Sequence, residues 1–338
     1  EWKAYLEYND HRSAVYDYAD YTFHPYEETV AFYNRIGIEK KSRARTLMNY
    51  NYTADDRITP EFFGEYIASY EQEFSTEETV SDKVLECVKE YLKRLVSGKF
   101  FWQHFAGVFL YGGLLIWYLM KKEWISLLKT LFLLGVQGMM WLGLLYAGRV
   151  PERVIYTLNL MLVVTGLLLC LEVYRSLRIS EQIRKTGIAV AVLFLVIISG
   201  GQYLKIRTEN IEMHRRNEDV ESLKQYCMEH PENFYFNDVT SLAFTTYNVR
   251  LWQDQPYQMN YMSLGDWMSY SPLWQEKLDQ KGIVSVKEAL YENEDVYLIC
   301  DFDKGLEYLI KLYDDVECVE VDKVAGFSIY QLRCNSGN

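Results

Sequence analysis

Runs of uncharged, apolar residues divide the chain into a hydrophobic middle and two hydrophilic flanks. Four such runs lie between residues 105 and 204. Each reaches the roughly 20 residues that a helix needs to cross a bilayer core once a turn of flanking residues is included. Trp and Tyr lie near the ends of the runs, as they do at membrane–water interfaces. The pattern predicts a four-helix transmembrane bundle over residues 99–205, with spans at about 102–120, 126–148, 153–173 and 187–205.

The two flanks have different periodicities. Residues 1–98 repeat apolar positions at helical spacing and predict a mostly α-helical, acidic, Tyr-rich region. Residues 206–338 alternate helix and strand patterns and predict an α/β domain. In that domain Ser271 should cap a helix that ends at Gly282, and "VECVEVD" and "FSIYQLR" should form a hairpin. The expected fold class is therefore a membrane protein whose helical bundle separates these two regions.

Charge predicts the orientation of the bundle. The net charge is −6 over residues 1–100, +6 over 101–205 and −12 over 206–338. The two short loops 121–129 and 172–186 carry seven positive charges, against two in the loop between the second and third spans. Positive short loops stay in the cytoplasm, whereas long domains cross largely regardless of their charge. We therefore expect a multi-pass plasma-membrane protein with both hydrophilic regions outside the cytoplasm.

Several classes of function are disfavoured. The acidic flanks would repel phosphate backbones, so nucleic acid is not an expected partner. The six cysteines show neither a C-x-x-C pair nor a zinc spacing, and no nucleotide-binding or hydrolase motif occurs. Within the spans, His104 and Glu172 lie at the edges and Lys129 near the end of one span. Ion-coupled transporters usually bury such groups in the bilayer, so a transporter or flippase is the third choice.

The crowded opening stretch offers candidate chemistry. Asp10 and Asp17, with neighbouring histidines, are candidates for a general base or for ligands of a divalent metal. Asp17, Asp20 and His24 have the spacing of one helical face, although Pro25 would end such a helix. The competing interpretation is tyrosine-rich packing of a helical domain, whose ring faces could also stack on sugars. Cofactor and metal therefore stay unassigned.

Two arginines are candidate phosphate contacts. Arg149 and Arg153 lie in the short loop "AGRVPERVIY", which the orientation argument places at the outer surface. A guanidinium group suits bidentate contact with the phosphate of a lipid-linked donor. The alternative is a capped loop, in which Pro151 and Glu152 begin the third span. In the second span, Gly135, Gly138 and Gly143 predict close helix packing.

A family resemblance rests on "GDWMSYSPLWQEKL", on the stretches that flank it, "FYFNDVTSLAFTTYN" and "NEDVYLICD", and on the opening "YNDHRSAVYDY". These stretches resemble uncharacterised multi-spanning membrane proteins encoded with envelope-glycan genes in Gram-positive bacteria. Those proteins look like GT-C glycosyltransferases, which have extracytoplasmic domains and use lipid-linked sugar donors. GT-C enzymes usually have eight or more spans and an acidic first outer loop. Neither feature is found here, and no catalytic residue can be carried over from the resemblance.

The resulting expectation is the C-terminal part of a polytopic protein of cell-envelope polysaccharide assembly. The chain begins with Glu, which is consistent with a missing upstream segment. Glycosyl transfer from a polyprenyl-linked donor is one hypothesis, and a non-catalytic scaffold or glycan-binding partner of envelope enzymes is the other. The expected partners are the lipid bilayer, a polyprenyl-linked sugar and other envelope-assembly proteins.

Overall fold

The computed structural model describes residues 1–18, 21–74, 80–96, 101–176, 181–242, 260–300 and 306–334. The chain divides into two compact units. Unit 1 combines Glu1–Tyr16, Tyr21–Phe74 and Arg207–Asn338, and unit 2 combines Asp17–Asp20 with Ser75–Ile206. Most of both hydrophilic flanks, which the sequence analysis treated as separate regions, thus belongs to one unit.

The N-terminal part of unit 1 is helical, as the apolar spacing predicts. Its α-helices are α1 Trp2–Tyr16, α2 Val30–Arg35, α3 Lys41–Met48 and α4 Phe62–Phe74, with 3-10 turns at Tyr26–Glu28 and Tyr52–Ala54. Aromatic side chains fill the core between these helices. The rings of Tyr8, Tyr52 and Phe63 pack edge to face, and all three are buried. Many tyrosines of the opening stretch are therefore packing residues.

The C-terminal part of unit 1 contains a small sheet, which confirms the predicted α/β character. The strands are β1 Phe234–Asn237, β2 Tyr261–Ser263, β3 Val296–Cys300, β4 Val316–Val324 and β5 Phe327–Cys334, in the order β2-β1-β3-β5-β4. β1 pairs in parallel with both β2 and β3, whereas β5 pairs antiparallel with β3 and β4. β4 and β5 form the hairpin expected across "KVAG", with Ala325 and Gly326 at positive φ.

Helices cover both faces of the sheet, which explains why β1 is buried along its whole length. One face packs against Leu223 and Cys227, near the C-terminal end of α9 (Glu181–Glu229). The other face packs against α11 (Pro272–Gln280), α12 (Val286–Glu292) and α13 (Leu306–Ile310). A short helix, α10 (Val239–Leu242), follows β1. Ser271 accepts a hydrogen bond from the Trp274 backbone N–H, which confirms the predicted cap, and Gly282 has a φ of +68°.

Among its described residues, unit 2 consists of helices joined by short loops. Its helices are α5 Val80–Val96, α6 Phe101–Lys121, α7 Trp124–Tyr146, α8 Glu152–Ser176 and the N-terminal part of α9. Two segments, Trp124–Tyr146 and Glu152–Arg175, are long and apolar enough to cross a membrane among the residues that the structure describes. Length and composition alone support these two spans, and the four-span bundle stays a prediction.

Close packing in unit 2 involves different glycines from those predicted. A Cβ at Gly135, Gly138 or Gly143 of α7 would meet nothing within 4 Å among the described residues. At Gly107 of α6 a Cβ would lie 3.0 Å from Leu162, and at Gly166 of α8 it would lie 2.8 Å from the Tyr111 ring. Gly107 and Gly166 are therefore the glycines that allow α6 and α8 to approach each other.

Candidate anion-binding cleft

The parallel strands end where ligands of open α/β sheets usually bind. β1 lies between β2 and β3, and the chain passes from β1 to β2 on one side before it crosses to β3 on the other. Ligands of such sheets typically bind outside the carboxyl ends of the strands, at the point where the order reverses. The carboxyl ends of β1 and β3 are therefore the expected place of a binding site in unit 1.

Asp238, directly after β1, organises this end of the sheet. Its Oδ2 accepts hydrogen bonds from the Thr240 hydroxyl at 2.7 Å, the Ser241 hydroxyl at 2.6 Å and the Ser241 backbone N–H at 2.9 Å. Its Oδ1 accepts from the Thr240 backbone N–H at 3.3 Å, the Tyr308 hydroxyl at 3.2 Å and the Asn51 amide. Asp238 is fully buried. A buried carboxyl group with this many donors is fixed in place, and it positions Asn51 and Tyr308.

Tyr308, which hydrogen-bonds to Asp238, also lines an open cleft. The cleft has a volume of about 430 Å³. It is lined by residues of α3 and by residues in and directly after α13: Lys41, Ser42, Arg45, Glu307, Tyr308 and Lys311. Lys41 and Arg45 are four residues apart, as are Glu307 and Lys311, so each pair shares one helical face. The cleft thus lies beside the end of β1, where the strand order predicts a ligand.

The cleft is basic within a unit of acidic composition. Three cationic side chains line it, against the single carboxylate of Glu307. Lys311 pairs with Glu307 at 2.5 Å and Lys41 pairs with Glu27, whereas Arg45 forms no ion pair with any described residue. The Lys311 hydrogen bond, together with the charges of Arg45 and Lys41, holds the pKa of Glu307 below its usual range.

This arrangement suits a divalent or extended anion. Exposed ion pairs are weak, so Lys41 and Lys311 can exchange their carboxylate partners for a stronger ligand at little cost. Phosphate and diphosphate groups accept several charge-assisted hydrogen bonds, and a guanidinium group can bind them through two N–H donors. Ser42 adds a hydroxyl donor to the wall, although the residue is largely buried. The cleft can therefore recognise a phosphate-bearing group or an acidic sugar.

The candidate acids predicted from sequence lie elsewhere. Asp10 is exposed on α1 in unit 1, whereas Asp17 is half-buried just beyond the end of α1 and belongs to unit 2. Asp17 and His24 do not share a helical face, because α1 ends at Tyr16 and His24 is not in a helix. Asp20 lies outside the described residues. Among the residues that are described, no group of three or more His, Cys, Asp or Glu side chains could hold a metal ion.

Of the two arginines, Arg149 lies on a short loop of unit 2 and Arg153 lies in the helix that follows it. The Arg149 guanidinium lies over the Tyr18 ring, 5.4 Å from its centroid, and donates to the Tyr18 hydroxyl at 3.3 Å. Arg153 is exposed in the first turn of α8, which begins at Glu152 directly after Pro151. The structure therefore shows the predicted helix start, and the phosphate role of both arginines stays a proposal.

Sequence reasoning missed the cleft, although two signals pointed to it. Asp238 directly follows the strand pattern "NFYFN", and polar residues at the end of a buried strand often mark a site. Lys41 and Arg45 are spaced one helical turn apart in "KSRAR". Nothing in the sequence showed that α3 would pack against α13, more than 250 residues later, because that contact depends on the tertiary fold.

No protein-family model, no curated protein and no solved structure matches this chain. The resemblance to envelope-glycan-associated membrane proteins therefore stays a prediction.

Proposed function

We propose that this chain belongs to a polytopic plasma-membrane protein of cell-envelope polysaccharide assembly, and that unit 1 binds an anionic group of a glycan or of its lipid-linked precursor. The basic cleft beside Asp238 carries this proposal. Three cationic side chains line it, in a part of the chain that is otherwise strongly acidic.

The surface of unit 2 supports a place in a membrane. Large apolar side chains of α6 and α7 are exposed, among them Met120, Ile125 and Phe132, which are 75%, 73% and 69% accessible. Exposed apolar surface of this extent marks a membrane or a partner. Together with the two candidate spans it supports a multi-pass arrangement of α6 to α9, with the positive short loops in the cytoplasm.

Lipid-linked sugars combine a hydrocarbon chain, a phosphate or diphosphate and a glycan. A membrane bundle and a cationic cleft match the first two parts. Arg149 and Arg153 remain proposed contacts for the same kind of phosphate at the surface of unit 2. Glycosyl transfer from such a donor is the catalytic form of the proposal. In that form Asp10 or Asp17 remains the proposed general base or metal ligand.

A second candidate function, non-catalytic glycan binding, is favoured by Trp267. This indole is 69% exposed in a turn that Asp266 holds by accepting hydrogen bonds from the backbone N–H groups of Met268 and Ser269 at 2.7 and 2.9 Å. The Tyr5 hydroxyl donates to the Trp267 carbonyl at 2.5 Å. An exposed ring face on a backbone turn held by these hydrogen bonds suits stacking against a sugar.

The test is envelope polysaccharide output in cells that produce variants in place of the natural protein. Lys41→Glu combined with Arg45→Glu should lower output at least about tenfold, since each charge-assisted contact is worth roughly 1.5–3 kcal/mol. The matched control, Lys3→Glu with Lys323→Glu, makes the same charge change at exposed positions that do not line the cleft. Trp267→Ala and Arg149→Ala with Arg153→Ala test the other two contacts.

Normal output from the cleft variant, at wild-type expression level, would contradict the proposal. Loss of output in both the cleft variant and the control would show that net charge alone is responsible, which would also contradict it.

A further inference from the structure

Helices α5 to α8 enclose a second cavity, entirely within unit 2. Its volume is about 290 Å³. The ring-bearing and polar residues around it are Tyr91, His104, Tyr111, Gln137, Trp141 and Asn159. The rest of the wall is mainly leucine, valine and glycine.

Four buried polar atoms, on three side chains of this wall, lack hydrogen-bond partners among the described residues. His104, Gln137 and Asn159 are 3%, 9% and 1% exposed. The His104 Nε2, the Gln137 Nε2 and both polar atoms of the Asn159 amide have no hydrogen-bond partner among the described residues. Buried polar groups are nearly always hydrogen-bonded, and leaving one unpaired costs about 1–3 kcal/mol. Three such residues around one cavity therefore indicate a ligand that they bind.

The wall also defines the chemistry of that ligand. No Lys, Arg, Asp or Glu belongs to the lining that the structure describes, so a phosphate or an ammonium group would have no counter-charge. Amide and imidazole groups donate to and accept from hydroxyl and carbonyl groups. The leucines suit a hydrocarbon chain, and Val108, which is 63% exposed, lies where the cavity meets the outer surface of the bundle.

We propose that this cavity binds the hydroxyl head group of an uncharged membrane lipid, with the attached chain leaving past Val108. A long-chain isoprenoid alcohol and a diacylglycerol both present this chemistry. The proposal does not depend on the basic cleft, which lies in the other unit and would bind anions.

Native mass spectrometry tests the proposal. The full chain is mixed in detergent with each lipid in turn, and the spectrum shows how much lipid stays bound after the detergent is removed. The wild type should retain either the isoprenoid alcohol or dioleoylglycerol in preference to dioleoylphosphatidylglycerol. Asn159→Leu, which keeps the branched shape and the number of side-chain heavy atoms, should retain at least about tenfold less, the loss expected for one hydrogen bond near 1.4 kcal/mol. Gln137→Met should act in the same direction.

Thermal unfolding separates binding from a structural role. Because the Asn159 amide has no described protein partner, Asn159→Leu should leave the lipid-free Tm unchanged or raise it. The matched control is Thr157→Leu on the same helix, at an exposed position that does not line the cavity, and it should retain lipid as the wild type does.

Any of three results would overturn the proposal. The first is equal retention of neutral and anionic lipid by the wild type, and the second is undiminished retention by Asn159→Leu. The third is a fall in the lipid-free Tm of Asn159→Leu, which would make the amide a structural group. Retention of only one neutral lipid would support the proposal and would show whether the ligand is an isoprenoid alcohol or a diacylglycerol.

Discussion

At the residue scale, the buried ion pair of unit 1 shows how burial and charge compete. Arg43 donates to Asp55 at 2.5 Å, and both side chains are almost inaccessible. Burial raises the pKa of Asp55, and the Arg43 charge only partly offsets this. The Asp55 Oδ2 atom has no partner among the described residues. The pair therefore depends on Arg43 to keep a desolvated carboxylate ionised.

Removing the arginine should make stability depend on pH. In Arg43→Leu the pKa of Asp55 should rise further above the unfolded value, so the folded state binds more protons than the unfolded state. Stability then falls as pH rises through that window, by about 1.4 kcal/mol per unit. We expect the Tm deficit of Arg43→Leu against the wild type to be larger at pH 7 than at pH 5.

Asp55→Asn provides the comparison, because the unpaired Arg43 cannot lose its proton. Asp55→Asn should lower the free energy of unfolding by about 3–5 kcal/mol at both pH 5 and pH 7. An equal Tm deficit of Arg43→Leu at pH 5 and pH 7 would refute this account of the pair.

At the element scale, two glycines have different reasons to be glycine. A Cβ at Gly265 would lie 1.8 Å from the Tyr50 carbonyl oxygen, because the loop after β2 runs directly against the backbone of the N-terminal helical part. Gly282 ends α11 at a φ of +68° and has open space around it. The first glycine permits packing between two parts of unit 1, and the second permits a left-handed turn.

Replacing each of these glycines by alanine should therefore destabilise the folded state by a different amount. Gly282→Ala should destabilise by about 1–2 kcal/mol, the cost of a left-handed non-glycine residue. Gly265→Ala forces two backbones apart and should cost at least as much as severe overpacking, about 3 kcal/mol or more. Thermal unfolding of both variants checks the order. A smaller Tm loss for Gly265→Ala than for Gly282→Ala would show that the contact with Tyr50 is not tight.

Local patterns predicted the elements well and their assembly poorly. The Ser271 cap, the Gly282 stop and the β4–β5 hairpin depend on neighbouring residues, so the sequence alone indicated them. The joining of residues 21–74 with the C-terminal sheet depends on contacts such as the Thr53 backbone N–H to the Leu264 carbonyl at 3.0 Å. No local pattern records such a contact, and the cleft between α3 and α13 was missed for the same reason.

At the scale of the whole molecule, the orientation of the chain can be measured directly. Single cysteines would be introduced near Glu73, Asp279 and Glu181 in a background without the six natural ones. A membrane-impermeant thiol reagent applied to intact cells should modify the first two sites but not the third, because the loop 172–186 carries four positive charges. Modification of the Glu181 site alone would reverse the orientation and place unit 1 in the cytoplasm.

Binding of a long-chain isoprenoid diphosphate to the purified full chain tests the central claim most directly. We expect wild-type affinity to fall at least about tenfold in Lys41→Glu with Arg45→Glu and to stay unchanged in Lys3→Glu with Lys323→Glu. Glu307→Gln should bind more tightly, because it frees Lys311. Inorganic diphosphate should compete for the same site. An affinity that is the same in the cleft variant, in Glu307→Gln and in the wild type would show that the basic cleft does not bind this anion.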